Sequence, residues 1–152
     1  MTVYLGADHR GYKLKEKIKE WLSDWGVEYE DLGNTVFDPE DDFPDYARAV
    51  SERIQQKGGQ GILLCGSGGM ALAANKFKGV WAVECWNEKT AEHAGLHDDA
   101  NVISLPADAV SDKEAKKIVK AWLEAKPRSK TMPGKYQRRF SKIKKIEKEN
   151  FK

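Results

Sequence analysis

The sequence predicts an α/β protein: one domain built on a five-stranded, mostly parallel sheet, with helices on both faces and a C-terminal helical tail. Three observations predict it. Short apolar runs alternate with segments whose apolar residues recur at helical spacing. The run Ile62-Leu63-Leu64-Cys65 is apolar on both faces, as a central parallel strand must be. Five strand–helix units then follow one another, the pattern of parallel strands joined by helical crossovers.

The elements follow in order. Val3-Tyr4-Leu5-Gly6-Ala7 is the first strand. Leu14, Ile18, Trp21, Leu22 and Trp25 then share one helical face, and Gly26 stops that helix just past its end. Val27 to Leu32 reads as the second strand, followed by a loop from Gly33 to Phe43. Pro44 suits the first turn of the next helix, which buries Tyr46, Ala47, Val50 and Ile54 and ends at Gly58-Gly59. After the third strand, Gly66-Ser67-Gly68-Gly69 turns into a helix from about Met70 to Lys76. Val80 to Cys85 is the fourth strand, Thr90 to Leu96 a short helix, and Asn101 to Leu105 the fifth strand. Ala115, Ile118, Val119 and Trp122 mark a further amphipathic helix. Phe140, Ile143 and Ile146 predict a helical tail.

Composition narrows the class. A chain of 152 residues with 40% hydrophobic and 33% charged residues is the size of one globular domain, with no apolar run long enough to cross a bilayer. The start, Met1-Thr2-Val3-Tyr4-Leu5-Gly6, lacks the basic lead-in and the apolar length of a signal peptide. Two cysteines, Cys65 and Cys85, make neither a disulfide framework nor a four-cysteine zinc site, so a cytoplasmic protein with reduced thiols is expected. The net charge of +2 hides a split: residues 126–152 carry 11 basic and 2 acidic side chains, a net of +9, which leaves −7 for residues 1–125. The reading is a body over 1–125 and a basic helical extension over 126–152.

In an open α/β sheet, ligands bind beyond the C-terminal ends of the strands. Three polar clusters could gather there: Asp8-His9-Arg10, Cys65-Gly66-Ser67-Gly68-Gly69 and His97-Asp98-Asp99. The first two directly follow strands; the third precedes one. A strand ending in Cys, then Gly-Ser-Gly-Gly, then a helix opening at Met70, can aim several backbone N–H groups at one point. That makes an anion site, or an oxyanion hole if negative charge develops during a reaction. The alternative is a tight turn that merely needs glycines. The spacing matches neither the phosphate-binding loop nor the dinucleotide fingerprint.

Cys65 at the mouth of this turn is a candidate nucleophile or general base, with a thiol pKa that a helix N-terminus would lower; the alternative is an inert strand cysteine. Cys85 has no glycine turn after it and reads as inert. His9 and His97 can serve as acid, base or phosphate donor, or be surface residues, and His93 reads as a surface residue. No familiar metal-ligand spacing occurs, so no metal and no cofactor is expected. The basic tail is either a solvated helix face or a phosphate grip. Nucleic acid is disfavoured, because no recognised binding motif accompanies the charge.

Five blocks then occur in order: Gly6-Ala7-Asp8-His9-Arg10-Gly11-Tyr12, Asp42-Phe43-Pro44-Asp45-Tyr46-Ala47, Cys65-Gly66-Ser67-Gly68, Ala73-Ala74-Asn75-Lys76 and His97-Asp98-Asp99-Ala100-Asn101-Val102. Together they resemble the type B ribose-5-phosphate isomerase family, which includes the galactose-6-phosphate and allose-6-phosphate isomerases. The likeness runs through the tail segment Lys135-Tyr136-Gln137-Arg138-Arg139-Phe140 and implies that the extension over 126–152 packs on a neighbouring subunit. It implies a Rossmann-like subunit, a homodimer or dimer of dimers with shared active sites, and metal-free aldose–ketose isomerisation of a sugar phosphate in carbohydrate metabolism. By the same resemblance Cys65 is the base between the first two sugar carbons. Ser67, with the backbone of Gly66, Gly68, Gly69 and Met70, stabilises a cis-enediolate. Asp8 and His97 open the sugar ring. His9 and Arg139 contact phosphate, joined by Arg10, Asp98, Lys135 and Arg138 in the binding shell.

Several residues depart from the family pattern. The glycine turn is one residue short, Ser67 stands for Thr, Asp98 for Asn, Lys135 for Arg, Phe43 for Tyr and Gly95 for Arg. Asp108 replaces a phosphate-binding Arg, and Arg10 is an extra cation that could compensate. The alternative these changes raise is a member that binds a sugar, sugar phosphate or nucleotide without turnover, as a regulator or as one half of a hetero-oligomer.

Overall fold

The computed structural model describes residues 1–125 and 134–151. The part of the expected extension over 126–133, with residue 152, lies outside the described residues. The chain runs β1 (Val3–Ala7), α1 (Tyr12–Asp24), β2 (Tyr29–Asp31), α2 (Phe43–Lys57), β3 (Gln60–Cys65), α3 (Gly69–Ala74), β4 (Ala82–Glu84), α4 (Glu88–Leu96), β5 (Val102–Pro106), α5 (Asp112–Glu124) and α6 (Gly134–Asn150). The five strands form one sheet in the order β2-β1-β3-β5-β4, and all four pairings are parallel.

Helices cover both faces, as the sequence predicts. One face packs Leu14, Ile18 and Leu22 of α1 with Ala91 and Ala94 of α4 and Ile118, Val119 and Trp122 of α5. The other packs Ala47, Val50 and Ile54 of α2 with Met70 and Ala74 of α3. β3 is buried at every position because it lies mid-sheet between two helical layers.

The edge strands are shorter than their apolar runs. β2 pairs only with β1, and Val27 gives its N–H to Leu22 O at 2.9 Å, closing α1 rather than extending the strand. At the other edge, Val80 N–H goes to Phe77 O and Trp81 N–H to the Asn101 side chain, so β4 begins at Ala82. Helix α4 begins two residues before the predicted Thr90. Asn87 accepts from Thr90 N–H at 2.9 Å while Thr90 Oγ1 accepts from Asn87 N–H at 3.2 Å, a reciprocal cap.

The strand order fixes where a ligand can sit. From β1 the chain goes to β2 on one side and then to β3 on the other, so the connections leave in opposite directions between β1 and β3. The crevice opens beyond the C-terminal ends of those two strands. Their loops meet there: Asp8 N–H donates to Leu64 O at 3.2 Å. Gly11 lets α1 approach this closely, since a Cβ on it would stand 2.4 Å from Leu64 O.

Helix α6 lies against the start of β4. Phe140 is buried edge-on against Trp81, with ring centroids 4.9 Å apart. Glu147 accepts from Gly79 N–H and from Trp81 Nε1, each at 2.6 Å. Ile143 and Ile146, on the same predicted apolar stripe, are exposed.

Candidate active site

Cys65 ends β3 and is 4% exposed. Its thiol donates to Ser67 O at 2.9 Å. The backbone N–H groups of Met70, Ser67 and Gly69 converge on its sulfur. The turn therefore aims its amides as expected, but in the resting protein their target is the thiol itself. The expected lowering of the thiol pKa does not occur. Burial pushes it up, the Asp8 charge adds to that, and the converging amides do not offset the two. Cys65 is thus a neutral thiol at neutral pH and, once deprotonated, a strong base. Cys85 is buried and pushed up to about 12, chiefly by desolvation and then by the charges of Glu84 and Asp98. It is the inert cysteine that the sequence suggests.

Phe43 presses on the turn: a Cβ on Gly69 would lie 2.6 Å from its ring. Ser67 is exposed at the tip, and Met70, fully buried, is the second residue of α3, which begins one residue before the predicted start. On the far side of the turn, a Cβ on Gly68 would lie 3.0 Å from a carboxylate oxygen of Glu84, whose other oxygen is buried without a partner among the described residues.

Asp8 follows β1 and is 5% exposed. Its Oδ1 accepts from Arg10 N–H at 3.0 Å and Gly11 N–H at 3.1 Å. Burial nevertheless wins and holds the carboxyl above its ordinary range. His9 turns outward, and its Nδ1 lies 2.7 Å from Asp41 Oδ1. The Asp41 bond pushes the imidazole pKa up, with help from the Asp8 charge. Arg10 Nη1 donates to Asp108 Oδ2 at 2.6 Å. That pair lies over the turn, because a Cβ on Gly66 would meet both side chains at 2.7 Å. Arg10, expected as a spare cation for the phosphate shell, is thus paired with Asp108 in this chain.

Asp8, His9 and Asp41 place potential ligand atoms within 4.8 Å of one another. Each is already engaged: Asp8 Oδ1 takes two backbone N–H groups, and Asp41 Oδ1 takes the imidazole.

His97 caps the C-terminal end of α4, ahead of β5. The third cluster therefore does not gather with the first two within one chain. Cys65 pairs with Pro106, the last residue of β5, whereas His97 precedes Val102, the first. A five-residue strand at ~3.3 Å per residue puts on the order of 13 Å of sheet between the two edges. At its own edge His97 stacks on Tyr136 of α6, with centroids 4.1 Å apart and planes 7° apart. Lys135 and Arg139 lie 5.1 and 5.6 Å from the same Tyr136 ring. Asp98 is held above its ordinary pKa by burial, against the nearby His97 and His93. It lines an apolar groove with Trp81, Phe140 and Ile143. Arg138 is exposed on α6.

The two clusters thus lie at opposite ends of the sheet's strands. The model of the Ribose/Galactose Isomerase family matches residues 3–143. The chain belongs to that family. Among family relatives, a probable ribose-5-phosphate isomerase B of Mycoplasma genitalium is 41% identical over 151 residues, covering 97% of each chain. Ribose-5-phosphate isomerase B of Escherichia coli is 38% identical over 149 residues, covering 95% of each. A crystal structure of the Mycoplasma genitalium isomerase with bound ribulose-5-phosphate superposes with a TM-score of 0.90, over 98% of this chain and 97% of that one. The Clostridium thermocellum isomerase also gives 0.90, at 35% identity, over 98% and 99%.

Reading the sequence missed Asp41 and Glu84. Asp41 sits in the acidic run Asp41-Asp42 before α2, where nothing in the sequence separates it from its neighbour. Glu84 looks like an ordinary polar residue at the end of an edge strand. Tyr46 was expected only as part of a buried face, yet its hydroxyl bonds Asp41, and burial beside that charge pushes it up to about 12.

Proposed function

We propose that this chain is an aldose–ketose isomerase of a sugar phosphate, with ribose 5-phosphate and ribulose 5-phosphate as the first pair to test. The observation that carries the reading is the Cys65 sulfur beneath the converging N–H groups of Ser67, Gly69 and Met70, one strand from Asp8. Isomerisation needs a base beside a carbon acid and donors for the enediolate oxygen. The Cys65 thiolate takes the proton from the carbon next to the carbonyl and returns it to the neighbouring carbon. The turn's amides and the Ser67 hydroxyl hold the enediolate oxygens in between. The buried Asp8 carboxyl serves ring opening, in which one proton leaves the anomeric hydroxyl and one reaches the ring oxygen. The imidazolium of His9 and the guanidinium of Arg10 meet the phosphate.

The separation of Cys65 from His97 supports a homodimer, with His97, Asp98, Lys135, Arg138 and Arg139 lent to the site of a second copy. In this reading helix α6 packs on its own subunit through Phe140 and Glu147 and faces the neighbour with its basic residues. No described helix is long and apolar enough to cross a membrane, and both cysteines are free thiols, which suits a reducing cytoplasm. A panel of pentose and hexose phosphates, with the unphosphorylated sugars as controls, tests the reading. Interconversion of at least one phosphate, abolished in Cys65→Ala, is the expected result. Binding without solvent-deuterium exchange into any bound aldose phosphate would instead support a non-catalytic family member.

A further inference from the structure

We propose that Asp41 is a positioning residue that fixes the His9 ring and its charge for a phosphate group. The proposal rests on the reading of His9 as a phosphate contact.

Two donors from one residue converge on Asp41 Oδ1: His9 Nδ1 at 2.7 Å and His9 backbone N–H at 3.1 Å. That double contact sets both the tautomer and the direction of the ring. Nδ1 carries its proton toward the Asp41 carboxylate, which leaves Nε2 as the nitrogen to meet a ligand. Burial grades in the same direction, with the Asp41 side chain 5% exposed and the His9 side chain 29%.

Asp41 is itself held. Its Oδ2 accepts from Asn34 Nδ2 at 3.0 Å, and the Tyr46 hydroxyl also donates to the carboxylate. Asn34 is anchored at both ends of its backbone. Its N–H donates to Ala7 O at 2.9 Å, and its carbonyl accepts from Lys15 Nζ at 2.7 Å. Lys15 is fully buried on α1 and also pairs with Asp31 at 2.6 Å. This explains a buried lysine that the reaction does not use: it locks the loop that delivers Asp41.

The charges around His9 come from two segments. Asp8 and Arg10 flank it on its own loop, and Asp41 faces it from the loop before α2. Arg10 is paired with Asp108, which limits its opposition to the imidazolium. Asp41 stays ionised, because hydrogen bonds from His9, Asn34 and Tyr46 outweigh its burial. The outcome is a donor of fixed direction whose charge persists above the pH at which a free histidine loses it. A charge-assisted bond to a phosphate oxygen benefits from both properties.

The experiment follows the His9 imidazole by NMR, assigned with His9→Gln, in the wild type and in Asp41→Asn. Inorganic phosphate serves as the probe, and KM and kcat for ribose 5-phosphate are measured alongside. In the wild type, His9 is expected to titrate above the ordinary value of about 6.5. In Asp41→Asn it falls. Phosphate then binds ~5–10-fold more weakly at pH 7.5, and the gap closes as the pH drops well below the ordinary histidine value of about 6.5. KM rises by a similar factor, while kcat changes less than about threefold. A wild-type His9 titrating at or below 6.5 overturns the proposal, and this holds even if the variant does not fold. So does a loss of phosphate affinity equal at every pH, which a merely structural role would give. If the wild type isomerises no sugar phosphate, the activity reading fails, while the titration and the phosphate arm still judge Asp41.

Discussion

The two polar clusters are built in different ways. At the C-terminal edge of the sheet, Cys65 and Asp8 sit at strand ends, 4% and 5% exposed, and backbone N–H groups hold them. At the opposite edge, His97, Lys135 and Arg139 sit at helix ends and on a helix surface, organised around the Tyr136 ring. The first cluster is complete within one chain, because adjacent parallel strands deliver it. The second is ordered but faces away from it. In the proposed reading the proton-transfer chemistry is therefore preorganised in the sheet, with His9 and Arg10 beside it, and the groups of the second cluster reach the sugar phosphate of another copy. That difference predicts how each half breaks.

Removing the base has the largest effect. Cys65→Ala lowers kcat by about 10²–10⁴-fold, with a small change in KM, in a steady-state assay. His97→Ala is next, lowering kcat/KM by about 10–100-fold as ring opening slows, and the deficit shrinks when the assay starts from the open-chain ketose. The raised thiol pKa sets a pH signature. Below that pKa the thiolate fraction grows about tenfold per pH unit, so kcat/KM climbs as pH rises through neutrality. A rate already flat from pH 6 would show a lowered thiol instead. A milder structural break sharpens the contrast. Gly11→Ala forces a Cβ to within 2.4 Å of Leu64 O and costs about 1–3 kcal/mol, read as a lower Tm, by pushing α1 off β3. An effect of similar size is expected at the opposite end of the strands. Glu147→Ala removes two hydrogen bonds from α6, costs about 1–3 kcal/mol in all, and raises KM more than it lowers kcat.

The same contrast explains what the sequence reveals. The central strand, the helical faces and the glycine turn are legible because each is local: periodicity and glycine spacing state them directly. Asp8, Cys65 and Ser67 follow, since they lie where strands end. Edge-strand lengths are not legible, because Val27 and Val80 are apolar yet spend their N–H groups on closing turns. The thiol pKa was misjudged because a turn's amides are visible in sequence, whereas the depth of burial that outweighs them is not. Asp41 escapes because its partner, His9, is 32 residues away. The place of His97 is half legible: it precedes a strand in the sequence, and with every pairing parallel that puts it at the end away from Cys65.

The central claim, that each active site takes Cys65 from one copy and His97 from another, has a direct test. Cys65→Ala and His97→Ala proteins, each nearly inactive alone, are unfolded together in equal amounts and refolded. In a symmetric dimer half the molecules are mixed, and each mixed dimer has one site with both mutations and one with neither. The account predicts recovery to about a quarter of wild-type activity by that symmetry argument. Activity no greater than the average of the two variants, with mixed dimers present, would contradict it.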